Sequence, residues 1–147
     1  MRLTRPLGRR GDQRGSALML MPAGVLVVLI LASIAVDMAV VQLRQRQALD
    51  LAASAANDAA TAADAPALRS GRFRVDPARA RAVVDEAVAA SELAPDLVAA
   101  PVVSVTPEGV EVTLSLAADY VFAGVVPGAP DGTTVTATAS ATAAPGG

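Results

Sequence analysis

From Ala17 to Val36 the chain runs for 20 residues without a charged side chain. As a helix, that run covers about 30 Å, the thickness of a bilayer's hydrocarbon core. A helix apolar on every side needs cover on every side, and a chain of 147 residues has too little left to supply it. The run therefore predicts a transmembrane helix, extended by Met38–Val41 to residues 17–41. Pro22 falls near the start of the run, where its missing N–H does least harm.

The flanks orient the span. Residues 1–16 hold Arg2, Arg5, Arg9, Arg10 and Arg14 against Asp12 alone, a balance of +4. From Asp37 onward there are seven arginines and 13 acidic residues, a balance of −6. Cationic flanks stay on the cytoplasmic side, so residues 1–16 read as a cytoplasmic tail and everything past the span as extracytoplasmic. The tail arginines are also placed to meet anionic headgroups. Arg9-Arg10 is followed by Gly11-Asp12 and not by an apolar pair, which weakens a twin-arginine signal. A cleaved secretory signal is the competing reading, because Ser33-Ile34-Ala35 puts small residues at the −3 and −1 positions. Against it, the apolar run is long for a signal and the helical pattern continues beyond the site.

What the chain lacks narrows its chemistry. It has no cysteine and no histidine, and all 12 basic residues are arginine. Thiolate chemistry, imidazole base catalysis and lysine Schiff bases are thus excluded. No carboxylate pair is gathered by spacing, so no catalytic, cofactor-binding or metal-binding residue is assigned, and no small-molecule substrate is expected. An acidic outer part with only Phe73, Tyr120 and Phe122 as aromatics argues against nucleic acid as a partner.

Beyond the span, residues 42–66 are rich in alanine, glutamine and leucine, strong helix formers. No glycine or proline intervenes before Pro66, so the membrane helix is expected to continue outward as a stem to about Asp64. Leu43, Ala48, Leu51, Ala52, Ala55, Ala59 and Ala62 recur near helical spacing. This narrow alanine face suits close packing, either on the chain's own domain or on copies of itself and related subunits. Asp37 stands at the outer edge of the span. It is expected to sit hydrated at headgroup depth; the alternative pairs it with an arginine of a neighbouring subunit.

These segments carry a resemblance. Arg14-Gly15-Ser16-Ala17, the apolar run, Ile34-Ala35-Val36-Asp37, then Arg44-Gln45-Arg46-Gln47-Ala48-Leu49 and Ala52–Ala60 resemble the N-terminal module of TadG-like Flp pilus-assembly proteins. The likeness covers roughly residues 13–62. It implies an assembly subunit that packs against the lipid bilayer, other Tad/Flp components and copies of itself. Gly15, Asp37, Arg44, Gln47, Ala52, Ala55 and Ala59 are the implied interface residues. One departure stands out: related pilins place a glutamate five residues after the glycine of the cleavage site, and here that position is Leu20. Pilin-style maturation and docking through that glutamate are therefore not expected.

Residues 67–147 are expected to form a small extracytoplasmic α+β domain. Asp76 as N-cap and Pro77 at N1 predict a helix to about Leu93, with Ala80, Val83, Val84, Ala87 and Val88 facing the core and Arg81 spaced to pair with Asp85. Val102–Thr106 and the alternating Val110, Val112, Leu114 and Leu116 predict a hairpin closed by a type I turn at Thr106–Gly109. Asp119–Val126 reads as a further short strand or a core plug, Pro127–Gly132 as a loop, and Thr133–Ala143 as a closing strand. The resulting layout is pilin-like: a long helix, a second helix and a small antiparallel sheet whose threonine-rich edges read as ordinary solvated threonine, with strand addition as the alternative. The function expected is a structural, minor-pilin-like component of an Flp/Tad pilus or secretion system. The alternative is a membrane-anchored module that binds an envelope partner with no pilus role.

Overall fold

The computed structural model describes residues 13–62, 64, 67, 69, 74–106 and 109–142. Helix α1 is one continuous rod from Gln13 to Ala60, 48 residues long. Its two halves meet different surroundings. From Leu20 to Val36 the side chains are exposed, with only Ser33 half-buried. From Asp37 onward one face is covered, and Ala48, Ala52, Ala55, Ala56 and Ala59 have no exposed surface. Pro22 lies about two and a half turns inside the helix, deeper than its place near the start of the apolar run suggests. Among the described residues, α1 is the one helix long and apolar enough to cross a membrane.

The stem stops at Ala60, short of the expected Asp64. The hydroxyl of Thr61 donates to the Asp58 carbonyl at 2.7 Å, taking an acceptor that the next helical turn would need. The backbone then pairs with an incoming segment: Asp64 N–H donates to the Arg74 carbonyl at 2.8 Å, and Asp76 N–H to the Ala62 carbonyl at 2.9 Å.

Asp76 starts the second helix as expected. Its carboxylate accepts from the N–H groups of Ala78 and Arg79, at 2.9 and 3.2 Å, ahead of Pro77. Helix α2 spans Pro77–Ala89, with Ala80, Val84 and Val88 buried and Val83 and Ala87 partly buried against the same cluster. It ends four residues before Leu93. Ser91 turns its hydroxyl back onto the Val88 carbonyl at 2.8 Å, taking an acceptor that a further helical turn would need. A short 3-10 turn, Ala94–Asp96, follows. Arg81 and Asp85 do not pair; the one ion pair among the described residues is Arg44–Asp96.

Three antiparallel strands complete the fold: β1 (Val102–Val105), β2 (Gly109–Asp119) and β3 (Gly132–Thr142), in the order β1-β2-β3. The β1–β2 hairpin is closed by Thr106 N–H to the Gly109 carbonyl at 2.8 Å. Pro107 and Glu108, on which the expected turn type depends, lie outside the described residues. Alternation holds along β2, where Val110, Val112, Leu114, Leu116 and Ala118 are buried. On the opposite face Thr113 meets Thr138, hydroxyl to hydroxyl at 2.9 Å. α1 and α2 lie on the apolar face, giving a two-layer α+β domain. Small side chains on α1 let its backbone approach the sheet closely, with Leu114 and Leu116 filling the gap.

Asp119–Val126 is neither a strand nor a core plug. β2 absorbs Asp119, the chain leaves the sheet at Tyr120, and Phe122 is 46% exposed. A second 3-10 turn covers Ala123–Val125. At Val126–Ala129 the Val126 carbonyl accepts from Ala129 N–H at 3.0 Å, with Pro127 second and Gly128 third at a φ of 86°. That is the type II arrangement, which requires positive φ at the third residue and so favours glycine there.

Candidate functional site

Among the described side chains of α1, the first buried one is that of Asp37, only 7% exposed. It heads the stripe that Val41, Ala48, Ala52 and Ala55 continue at helical spacing. Hydration at headgroup depth, the sequence expectation, is not what it has. Its carboxylate Oδ1 accepts from the N–H groups of Val121 and Phe122, at 2.8 and 3.0 Å. Its Oδ2 accepts from Ala123 N–H at 2.9 Å. Three backbone donors of the same chain occupy it. Carboxylate acceptors give the shorter, stronger class of hydrogen bond.

The same contact explains why residues 121–123 form no strand. Successive N–H groups along a strand point to opposite sides, whereas here three in a row converge on one carboxylate. The backbone must curl to do this, and Phe122 has helical dihedrals (φ −108°, ψ −38°). The curled segment makes a small anion-binding nest of the kind built by consecutive main-chain amides.

Two turns further along, Arg44 Nη1 pairs with Asp96 Oδ2 at 3.0 Å, both about one-third exposed. Gln45 Nε2 donates to the Thr136 carbonyl on β3 at 2.9 Å. Gln47 is half-buried, and its Oε1 is enclosed without a hydrogen-bond partner. Asp37, Arg44 and Gln45 thus tie α1 to three separate parts of the same domain: the loop after β2, the turn after α2, and β3.

The expected interface residues divide accordingly. Asp37 and Arg44 bond within the chain. Ala52, Ala55 and Ala59 have no free surface to offer another subunit, since the chain's own sheet and α2 cover them. Packing of the stem on its own domain, one of the two readings of the alanine face, is what the structure shows. Gly15 falls within α1, ahead of the residues whose surroundings are described. The loop amides of 121–123, Asp96 and Gln45 were not legible as partners. A main-chain N–H leaves no side-chain signature, and Asp96 is separated from Arg44 by 52 positions.

Among the described residues no group of three or more acidic side chains is arranged to hold a metal ion. No family model, curated protein or solved structure matches the chain.

Proposed function

We propose that this chain is an anchored structural subunit, a minor-pilin-like component of an Flp/Tad-type pilus or secretion system. In this reading α1 crosses the membrane with the arginine-rich tail in the cytoplasm, and the α+β domain stands outside. The observation that carries it is the division of α1: one unbroken 48-residue helix, bare from Leu20 to Val36 and built into a sheet domain beyond. A chain organised this way presents its domain at a fixed height and rotation from the membrane, because no joint separates anchor from domain. The segments from Arg14 to Ala60 that resemble the TadG-like module support the assembly role.

With the stem alanines consumed internally, contacts to neighbouring subunits fall on the outer face of the stem. Leu43 and Leu49 remain exposed there. The role is packing and orientation, and the absence of histidine, cysteine and lysine fits a chain that performs no catalysis.

The test is deletion of the gene together with affinity capture of the tagged protein from membranes. Loss of surface pili or adhesion, with co-capture of other Tad components, supports the proposal. Normal piliation with capture of an envelope component alone supports the anchored binding module in its place.

A further inference from the structure

Asp37 fixes the height of the loop that follows β2. Its carboxylate lies one residue beyond the end of the uncharged run and holds Val121, Phe122 and Ala123 through their N–H groups at 2.8 to 3.0 Å. The loop is therefore pinned beside the point where the bare apolar stretch of α1 ends. Its composition matches that position. Residues 120–130 contain no charge, and they hold two of the chain's three aromatic side chains, Tyr120 and Phe122. Val121, Phe122, Val125 and Val126 are all exposed, Val125 at 78%. The large apolar side chains of α2 and β2 point inward, and Val98 and Val102 are exposed singly, so four exposed within six residues form a local cluster.

We infer that the 120–130 loop is a second membrane contact, an apolar foot lying in the headgroup–acyl boundary of the leaflet through which α1 leaves. The inference rests on the proposal that α1 spans the membrane. The occupant of this surface is lipid because Asp37 holds the exposed, uncharged loop beside the end of the exposed apolar band of Leu20–Val36. Short apolar elements with tyrosine or phenylalanine at their edge settle at this depth. There the Asp37 carboxylate satisfies three amides that would otherwise be left without acceptors in a water-poor layer. Two points of attachment, helix and foot, fix the tilt of the domain on the membrane.

The native chain has no cysteine, so single-cysteine variants of the full protein report cleanly. Leu29→Cys, Val125→Cys and Ala82→Cys, each carrying an environment-sensitive fluorophore, are reconstituted in phosphatidylcholine–phosphatidylglycerol vesicles. The lipids carry bromine either near the headgroup or near the chain ends. Leu29 reports on the span, Val125 on the foot, and Ala82 on the exposed face of α2. The expected result is loss of most Leu29-probe emission with deep bromine, loss of most Val125-probe emission with shallow bromine, and no loss at Ala82. Quenching at Leu29 but not at Val125 overturns the foot and leaves the span standing. A blue-shifted Val125 probe that neither bromine reaches means that a protein surface covers the loop, which also overturns it. No quenching at Leu29 removes the span and the foot together.

Discussion

Asp37 and Phe122 stand 85 positions apart in sequence, yet the carboxylate of one accepts the backbone N–H of the other at 3.0 Å. With the bonds from Val121 and Ala123, this makes Asp37 the residue at which a bare helix becomes part of a domain. Asp37→Ala leaves three amides without an acceptor and a helix face without its first tie. Hydrogen exchange of the amides of residues 121–123 should rise sharply in this variant, while the β2–β3 amides between Leu114 and Ala137 stay protected. Asp37→Asn, which keeps one carbonyl oxygen for two of the three donors, should fall in between. Unchanged exchange at 121–123 in Asp37→Ala would show that the loop is held by something else.

Ala55 touches the chain's own core and nothing beyond it. Ala55→Leu forces a larger side chain between α1 and the sheet and should cost about 1–3 kcal/mol, read as a lower urea midpoint for the outer domain. Leu49→Ala, on the exposed side of the stem, should shift the midpoint little and act instead on co-capture of partner subunits. The opposite pattern, a neutral Ala55→Leu that abolishes partner capture, would mean that the alanine face serves assembly.

Gly109 opens β2 opposite Thr142. A Cβ added there would collide with the carbonyl oxygen of Ala141. Gly109→Ala should therefore unpair the β2–β3 end nearest the β1–β2 hairpin and raise exchange at Val110 and Ala141. Gly24→Ala, on the open first half of α1 with nothing within 4 Å, serves as the control and should leave exchange unchanged.

The helix passes through Ser33-Ile34-Ala35 without a break, and Ser33 bonds its hydroxyl to the Ile30 carbonyl at 2.7 Å. A protein retained as an anchor keeps both sides of this site. Intact-mass measurement of the membrane-extracted protein should show residues on both sides of Ala35 in one chain. A product beginning at Val36 would convert the anchor into a removed signal.

Local signals in the sequence carry most of the fold. Asp76-Pro77 marks the start of α2, and the alternation of Val110, Val112, Leu114 and Leu116 marks a half-buried strand, because capping and period-two patterning are written in adjacent residues. α1 and α2 end earlier than their sequences suggest where a hydroxyl, at Thr61 or Ser91, takes a helical carbonyl; no proline or glycine announces that competition. The segment after β2 looks like strand because Val121, Val125 and Val126 are β-branched. Its conformation is set by Asp37, a tertiary partner that overrides propensity. The same reason hides the site. The spacing of Asp37 along the helix is visible, but its three donors belong to the backbone.

The anchored, outward-facing arrangement is tested most directly by labelling intact cells with a membrane-impermeant maleimide. Two variants suffice, Ala82→Cys on the exposed face of α2 and Thr4→Cys in the arginine-rich tail. The expected result is labelling of Ala82→Cys in intact cells, labelling of Thr4→Cys only after permeabilisation, and recovery of both in the membrane fraction after an alkaline wash. Protection of Ala82→Cys until the cells are opened, or release of the protein by the wash, would contradict it.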